Sequence, residues 1–135
     1  MIYNCTPHVI NIFAPDQYSF DSQLRKAFLN DTNAQPKLSF EKSGVLLNIE
    51  MEIIDTDIYI DGINLKKQMI KAADSPTILL PEFNANEDYV ICSALYAQGC
   101  RTLGITHYNL LNVSGVVYVN PDRPAPVGCT DLILR

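Results

Sequence analysis

Few side chains in this sequence are of a type that does acid–base or nucleophilic chemistry. The chain has two histidines, His8 and His107, and four cysteines between Cys5 and Cys129. It contains no nucleophile elbow, phosphate-binding glycine loop, dinucleotide-binding glycine motif, zinc-protease helix or deaminase zinc motif. His8 opens a strand-like segment, where histidine commonly makes a turn contact, so His107 beside Tyr108 is the better candidate acid or base. The pattern favours a binding protein over an enzyme.

Two groups of residues have the composition of a metal site without its spacing. The segment Cys5-Thr6-Pro7-His8 supplies a thiolate and an imidazole, to which Cys92, Cys100 or Cys129 could add a zinc ligand. The spacing is not that of a zinc finger, and a free cysteine is usually a small buried hydrophobe. Three acidic residues alternate like calcium ligands but lack the glycine-centred loop and distal glutamate of an EF-hand; they are Asp55, Asp57 and Asp61. We therefore predict no metal site and no cofactor.

The stretch 83–112 combines the groups that recognise a small nucleotide, which are an aromatic face, a cation and polar side chains. Phe83 follows a proline in a loop and can stack on a base, although phenylalanine is more often half-buried in a core. Ser93 begins a helix-like run, where it can bind an anion or simply cap the helix. Arg101 can bind phosphate or simply favour the helix dipole. The predicted ligand-binding residues are Phe83, Ser93, Tyr96, Arg101, His107 and Tyr108.

Composition limits the class of ligand and the compartment. The chain has 135 residues, 47% of them hydrophobic and 19% charged, which predicts one folded domain over residues 1–135. A net charge of −5 argues against nucleic-acid polymers, whereas two or three arginines suffice for a small anion. Unpaired cysteines and the lack of a secretory segment predict reduced thiols in a cytosol. The apolar runs are too short to cross a membrane.

The first half of the chain predicts strands around one helix. Residues 8–13 are rich in β-branched side chains and end at a proline, which is typical of a strand. Residues 19–29 place Phe20, Leu24 and Phe28 at fourfold spacing, which predicts a short amphipathic helix. Residues 45–54 and 58–60 predict a hairpin with its turn at 55–57. Residues 63–73, after the turn Asp61-Gly62, fit either a strand or a helix.

The second half of the chain continues this pattern. Residues 77–81 and 88–92 are predicted to be extended, and 93–99 to form a short helix between a capping serine and a glycine. A strand at 116–119 is followed by a proline-rich loop at 120–126. The sequence therefore predicts an α+β fold, a compact and mostly antiparallel β-sheet with a few short helices.

The order of short motifs along the chain resembles that of a family of small tailed-phage proteins. Asn4-Cys5-Thr6-Pro7-His8 is similar to their opening Asn-Leu-Thr-Pro-His signature, and Lys42–Leu46 to their Pro-Ser-Gly turn before a strand. Asp61-Gly62-Ile63 resembles a Gly-Ile-Pro-Val element, and Val127-Gly128-Cys129 a terminal Gly-Cys turn. The family's Leu-Pro, Tyr-Ile-Val-Ser and downstream arginine have counterparts between these elements, at Leu79–Pro81, Tyr89–Ser93 and Arg101. The resemblance covers most of the chain.

This family resembles the first described type of anti-Thoeris sponge, which captures cyclic ADP-ribose-type signals, and in some members cyclic oligonucleotides, without cleaving them. The resemblance implies a homodimer or higher homo-oligomer in the cytoplasm of the infected bacterial host, with pockets near the subunit interface. Ser93 and Arg101 lie within matching motifs, whereas Phe83 and His107 are placed by proximity and chemistry. The chain departs from the family at Asn48, where an arginine is usual, and in the added segment 19–29.

Two other functions are consistent with the residues. A phage protein that binds a host or virion protein would use exposed tyrosines as anchors, with Tyr3, Tyr18, Tyr59 and Tyr118 as candidates. A nucleotide-cleaving enzyme would use His107 as its acid or base. Sequestration of a small cyclic nucleotide is the function that we expect from the sequence.

Overall fold

A computed structural model describes residues 1–135 as a mostly β fold with two short α-helices. The α+β class is confirmed, and antiparallel pairings contain most of the registered residue pairs. The helices are α1 (Pro76–Leu79) and α2 (Ala94–Thr102). The strands are β1 (Ile2–Asn4), β2 (Ile10–Ile12), β3 (Tyr18–Asp21), β4 (Lys26–Leu29), β5 (Leu38–Phe40), β6 (Ile49–Ile60), β7 (Ile63–Ala73), β8 (Tyr89–Ile91), β9 (Asn109–Tyr118) and β10 (Pro126–Leu134). Neither α-helix has the length and apolar content needed to span a bilayer.

One sheet contains eight of the ten strands, in the order β1-β8-β9-β10-β2-β5 with the β3–β4 hairpin attached at one side. β9 is its central strand, because it pairs with β8, with β10 and, through its carboxyl-terminal end, with β4. The two ends of the order meet, since Asn4 bridges to Lys42 and its carbonyl accepts the Ser43 N–H at 2.9 Å. The sheet therefore nearly closes on itself.

The side chain of Asn4 holds this closure together. It is buried, and its Nδ2 donates to the carbonyl oxygens of His8 at 2.7 Å and Phe40 at 3.0 Å. Its Oδ1 accepts from the backbone N–H of Thr6 at 3.1 Å and from the Thr6 hydroxyl at 2.7 Å. A buried amide is stable only when its donors and acceptor are all satisfied. The Asn-Xaa-Thr-Pro-His motif is thus a structural element that ties β1 to the turn after it and to β5.

Helix α2 covers one face of the sheet and completes the larger core. Ser93 caps the helix by accepting the Tyr96 N–H at 3.1 Å, and the Tyr96 hydroxyl donates to the Asp74 carbonyl at 2.5 Å. Gly99 is needed where the helix meets β6, because a Cβ there would overlap the side chain of Ile49. The core cluster contains Cys5, Leu47, Leu80, Phe83, Val90, Cys92, Tyr96, Ala97, Cys100 and Leu110.

Strands β6 and β7 form a separate two-stranded ribbon, which we call the arm. The arm turns at Asp61 and Gly62, whose φ angles of 51° and 79° are both in the left-handed region. Two successive residues of this conformation form the tight hairpin turn whose twist matches the strands, and Asp-Gly is a favoured sequence for it. Ile49 and Ala73, at the base of the arm, pack against the core. The remainder extends beyond the sheet.

Several predicted elements agree with the structure. The predicted strands at 8–13, 88–92 and 116–119 correspond to β2, β8 and β9. The predicted helix at 93–99 is α2, although it passes through Gly99 and ends at Thr102. The segment 63–73, which fitted either a strand or a helix, is β7. The loop at 120–126 is confirmed up to Pro126, where β10 begins.

Three predictions were wrong. Residues 19–29 form the β3–β4 hairpin and not a helix, because Asp21 Oδ1 accepts the N–H groups of Gln23 and Leu24 and starts a turn. The arm does not turn at 55–57, since β6 continues through an irregular register there and the turn lies at Asp61-Gly62. Residues 77–81, predicted to be extended, lie mostly in α1. This helix begins at Pro76, in a position where no N–H is needed for a helical hydrogen bond.

We expect Asn4→Ala to lower the free energy of unfolding by about 3 kcal/mol, because buried hydrogen-bonding partners lose their bonds and a cavity opens. Asn4→Asp keeps the shape but loses both donors, and is expected to be destabilised as well. Asn33→Ala, at an exposed asparagine of a turn, is the control and should change stability by less than about 0.5 kcal/mol. Urea unfolding measures all three variants, and equal stability of Asn4→Ala and Asn33→Ala would contradict the role of Asn4.

Candidate ligand-binding groove

Three of the six residues predicted to bind a ligand are part of the core or of its capping contacts. Phe83 is buried, and its ring lies edge-on to Tyr3 with 5.8 Å between ring centroids. Tyr96 is 1% exposed and bonds to the Asp74 carbonyl, and burial raises the pKa of its hydroxyl. Ser93 is the helix cap. These three side chains attach α2 and the loop before β8 to the sheet.

The other three predicted residues lie nearer the surface. The rings of His107 and Tyr108 are 4.0 Å apart, and Tyr108 lies 6.1 Å from Phe83, so these three form one aromatic row. The Tyr108 hydroxyl lies 3.3 Å from the Ser75 hydroxyl. Arg101 is exposed in the last turn of α2 and makes no side-chain hydrogen bond, salt bridge or cation–π contact. The structure therefore does not join the predicted cation to the predicted aromatic face.

The residues considered as metal ligands are not assembled into a cluster. Nowhere do three or more histidine, cysteine, aspartate or glutamate side chains lie close enough to hold one metal ion. All four cysteines are free and buried. Asp55 instead pairs with Lys66 within the arm.

Two surface grooves lie on the main sheet, away from the predicted residues. The first, which we call the apolar groove, has a volume of about 750 Å³ and contains no lysine, arginine, aspartate or glutamate. Its lining is His8, Val9, Ile10, Asn11, Val113, Val116, Ala125, Pro126, Val127, Gly128 and Cys129. The second, which we call the basic groove, has a volume of about 460 Å³ and is lined by Tyr18, Phe20, Arg25, Lys26, Ala27, Gly115, Val116, Tyr118 and Thr130. The two grooves adjoin, because Val116 lines both.

The turn between β3 and β4 supplies the cations of the basic groove. Asp21 begins the turn by accepting two backbone N–H groups, from Gln23 at 2.9 Å and Leu24 at 3.0 Å. Arg25 ends it with a φ of 55°, a left-handed conformation that is uncommon for a residue with a side chain. Lys26 then opens β4 opposite Asp21. The turn thus places Arg25 and Lys26 side by side in the groove wall.

A cation–π contact connects the hairpin to the central strand. The parallel pairing of β4 with β9 sets Phe28 beside Tyr118, and their ring centroids are 6.2 Å apart. The ammonium of Lys26 lies 4.9 Å from the centroid of the Tyr118 ring. A lysine over an aromatic face is attracted by the electron-rich ring, which keeps its charge near the groove. Lys26 is therefore held at the groove and forms no salt bridge with a carboxylate, so its charge is available to an anion.

The floor of the basic groove depends on Gly115. This glycine has a φ of 69°, and a Cβ at this position would overlap the Thr130 hydroxyl. The Thr130 hydroxyl donates to Asp131 Oδ2 at 2.7 Å. Any larger residue at 115 would both strain the backbone and displace Thr130. The groove therefore keeps a hydroxyl group beside its two cations.

The lining of the basic groove differs in charge from the whole protein, although two carboxylates adjoin it: Asp21 lies opposite Lys26, and Asp131 accepts from the Thr130 hydroxyl. The chain carries a net charge of −5, yet the groove lining contains two cations and no acidic side chain. Three aromatic residues contribute to the lining, Tyr18, Phe20 and Tyr118, and the register of the hairpin places Tyr18 and Phe20 on the opposite face from Lys26. Cations attract a phosphate, and aromatic faces accept a planar base. The arrangement is suited to a small anion with an aromatic ring.

No protein-family model, curated protein or solved structure matches this chain, so its site is defined by geometry. Sequence reasoning missed the basic groove because residues 19–29 were interpreted as a helix. One signal could have located its hairpin, since Tyr18 and Phe20 alternate before a turn and Lys26 and Phe28 alternate after it. The approach of Tyr118 and Thr130 depends on tertiary pairing and has no local signal.

The four thiols lie in the interior, and burial raises the pKa of each of them. The effect is largest at Cys92, where burial raises the pKa from its ordinary value of 9.0 to about 12. A thiol in this environment stays protonated and is a poor nucleophile. The folded state therefore holds this proton at pH values at which the unfolded chain has released it.

The free energy of unfolding is expected to fall as the pH rises above 9. The folded-state pKa of Cys92 is raised, so its contribution is complete below pH 9 and is lost toward pH 12, by about 1.4 kcal/mol per pH unit. Urea unfolding at pH 8 and pH 10 measures the loss. Cys92→Ala, which is less stable at both pH values, should show a smaller loss between them; an equal loss would contradict the raised pKa.

Proposed function

We propose that this chain binds and sequesters a small cyclic nucleotide, such as a cyclic ADP-ribose isomer or a cyclic oligonucleotide, without cleaving it. One observation supports this above the others: the basic groove combines two cations with three aromatic rings and contains no acidic side chain. The proposal moves the site from the predicted stretch 83–112 to the β3–β4 hairpin and the strands beside it. Phe83 and Tyr96 remain part of the core.

Phosphate would be bound by Arg25 and Lys26. Arg25 makes no side-chain hydrogen bond or salt bridge, and Lys26 contacts an aromatic ring. Neither cation would therefore have to break a salt bridge in order to bind phosphate. A guanidinium presents a planar pair of donors that matches two phosphate oxygens, while an ammonium acts as a point charge. Hydrogen bonds between charged partners are about twice as strong as neutral ones. A phosphate is the anion that best uses both groups.

The base would stack on the aromatic side of the groove. Phe20 is 67% exposed, although a phenylalanine of this size is seldom left without packing. Stacking of a base on an aromatic side chain is worth about 1–3 kcal/mol. The groove volume of about 460 Å³ lies within the range usual for small-ligand sites. A ligand larger than a mononucleotide can extend past Val116 into the apolar groove.

Sequestration fits this lining better than cleavage does. The basic groove contains no imidazole, thiol or carboxylate, which are the commonest general acids and bases. His8 lines the apolar groove, and His107 is stacked on Tyr108. In this proposal the protein acts in the cytoplasm of the infected bacterial host, as the resemblance to phage sponges implies, and needs no cofactor.

Calorimetric titration with cyclic ADP-ribose isomers and with cyclic di- and trinucleotides tests the proposal. We expect one class of these ligands to bind tightly and to be recovered intact by chromatography after the protein is denatured by heat. Recovery of a cleaved product would instead indicate an enzyme. No binding to any of them would contradict the proposal and favour a protein partner.

We expect Arg25→Gly to weaken that binding by about tenfold or more, because a charge-assisted contact to phosphate is lost. Glycine suits the left-handed backbone at this position, so the variant should be no less stable than the original chain. Asp61→Gly is the matched control, since it relieves the same backbone conformation at the tip of the arm. Its affinity should be unchanged, and equal affinity of both variants would exclude Arg25 from the site.

A further inference from the structure

The arm has one strongly apolar face. In the register of β6 and β7, Ile60 lies opposite Ile63 and Ile54 opposite Lys67, and side chains two residues apart on a strand share a face. Six large apolar side chains therefore lie on the same face, which we call the apolar face of the arm. They are Ile54, Ile58, Ile60, Ile63, Leu65 and Met69, with exposures of 38%, 59%, 56%, 67%, 36% and 44%.

Nothing within the chain covers this face. The contacts of the arm outside itself are mainly with α2 and lie near its base, where Ile49 and Ala73 join the core. A two-stranded ribbon is marginally stable alone in water and usually needs a third strand or a packed layer. Six side chains exposed to this degree present on the order of 500 Å² of apolar surface, which is near the upper limit for a monomer. The arm therefore has the features of a surface that is buried in an assembly.

We infer that the apolar face of the arm packs against the same face of a second copy of this chain. A standard interface buries about 800 Å² on each partner, so the patch is large enough to form most of one. Stacking two ribbons gives a four-stranded, two-layered structure with an interior, which neither ribbon has alone. Only a second copy provides a matching patch without requiring any other molecule.

The charges of the arm favour a second copy and select its orientation. β6 is acidic, with Glu50, Glu52, Asp55 and Asp57, whereas β7 is basic, with Lys66, Lys67 and Lys71. Two pairs are satisfied within the arm, Lys66 with Asp55 and Lys71 with Glu50. Glu52 and Lys67 lie on the apolar face and have no ion pair in the chain. These two charges are the ones available to a partner on that face.

Two face-to-face orientations are possible, and they differ in the strands that they bring together. If the arms point in the same direction, a two-fold axis along them places β6 of each copy over β7 of the other. Glu52 then lies near Lys67 of the second copy, because their positions are two residue pairs apart along the arm, in neighbouring rows of the same face. If the arms point in opposite directions, β6 faces β6 and like charges meet. We therefore infer a dimer with parallel arms.

Sedimentation analysis of the full chain over a wide concentration range tests this dimer without any ligand, so its outcome is separate from that of the nucleotide proposal. We expect the original chain to dimerise and Ile60→Thr/Ile63→Thr to raise the dimer dissociation constant roughly a hundredfold or more, because four buried isoleucines are lost per dimer. Threonine keeps the preference for strands. Ile53→Thr/Tyr59→Thr is the matched control, with exposures of 69% and 66% on the opposite face, and should dimerise normally.

A charge exchange supplies a second test that does not depend on apolar substitutions. Glu52→Lys alone and Lys67→Glu alone should each weaken the dimer, and the variant with both changes should recover its affinity. A chain that is monomeric at every concentration would overturn the inference and leave the apolar face for another protein. Unchanged dimerisation of Ile60→Thr/Ile63→Thr would also overturn it, as would failure of the exchanged charges to restore affinity.

Discussion

The closure of the main sheet depends on one buried amide. Asn4 joins the first strand to the turn at Thr6 and His8 and to the carbonyl of Phe40. No other uncharged side chain offers two donors and an acceptor in so small a volume, so the position tolerates little change. Because Asn4 fixes the meeting of β1 and β5, it also fixes the edges between which β8, β9 and β10 lie. The motif that supports the phage resemblance therefore has a role in the stability of the sheet.

Local signals predicted the elements whose conformation is determined locally. Helix α2 was found because Ser93 caps its start, and β8 because Val90 and Ile91 lie in an extended apolar run. The β3–β4 hairpin was missed because Phe20, Leu24 and Phe28 fit helical spacing, while the decisive contact is the side chain of Asp21 with its own turn. At the hairpin, a short-range polar contact thus outweighed the periodicity of the apolar residues. Helix α1 was missed because its short apolar run was interpreted as extended, although a proline at the first position favours a helix start.

The basic groove could not be predicted in the same way, because its halves are far apart in the chain. Arg25 and Lys26 come from a hairpin turn, whereas Tyr118 and Thr130 come from β9 and β10. Their association requires the parallel pairing of β4 with β9, which extends over two residue pairs. The cation and the aromatic rings expected from the sequence lie on α2, in the loop before β8 and in the loop after α2. The aromatic row of Phe83, Tyr108 and His107 packs the loop before β8 against the loop after α2.

The pairing of the sheet has a consequence for the synthesis of the chain on the ribosome. β1 pairs with β8, and β2 pairs with β10, so each of these two strands finds its partner more than 80 residues later in the chain. Until residue 129 has been synthesised, Ile12 has no partner on the β10 side of β2, and the sheet cannot close. Such distant pairings slow folding and leave apolar strands uncovered in the nascent chain. The β9–β10 hairpin, which forms locally, can form only after β10 has been synthesised. Folding of the closed sheet therefore waits for β10.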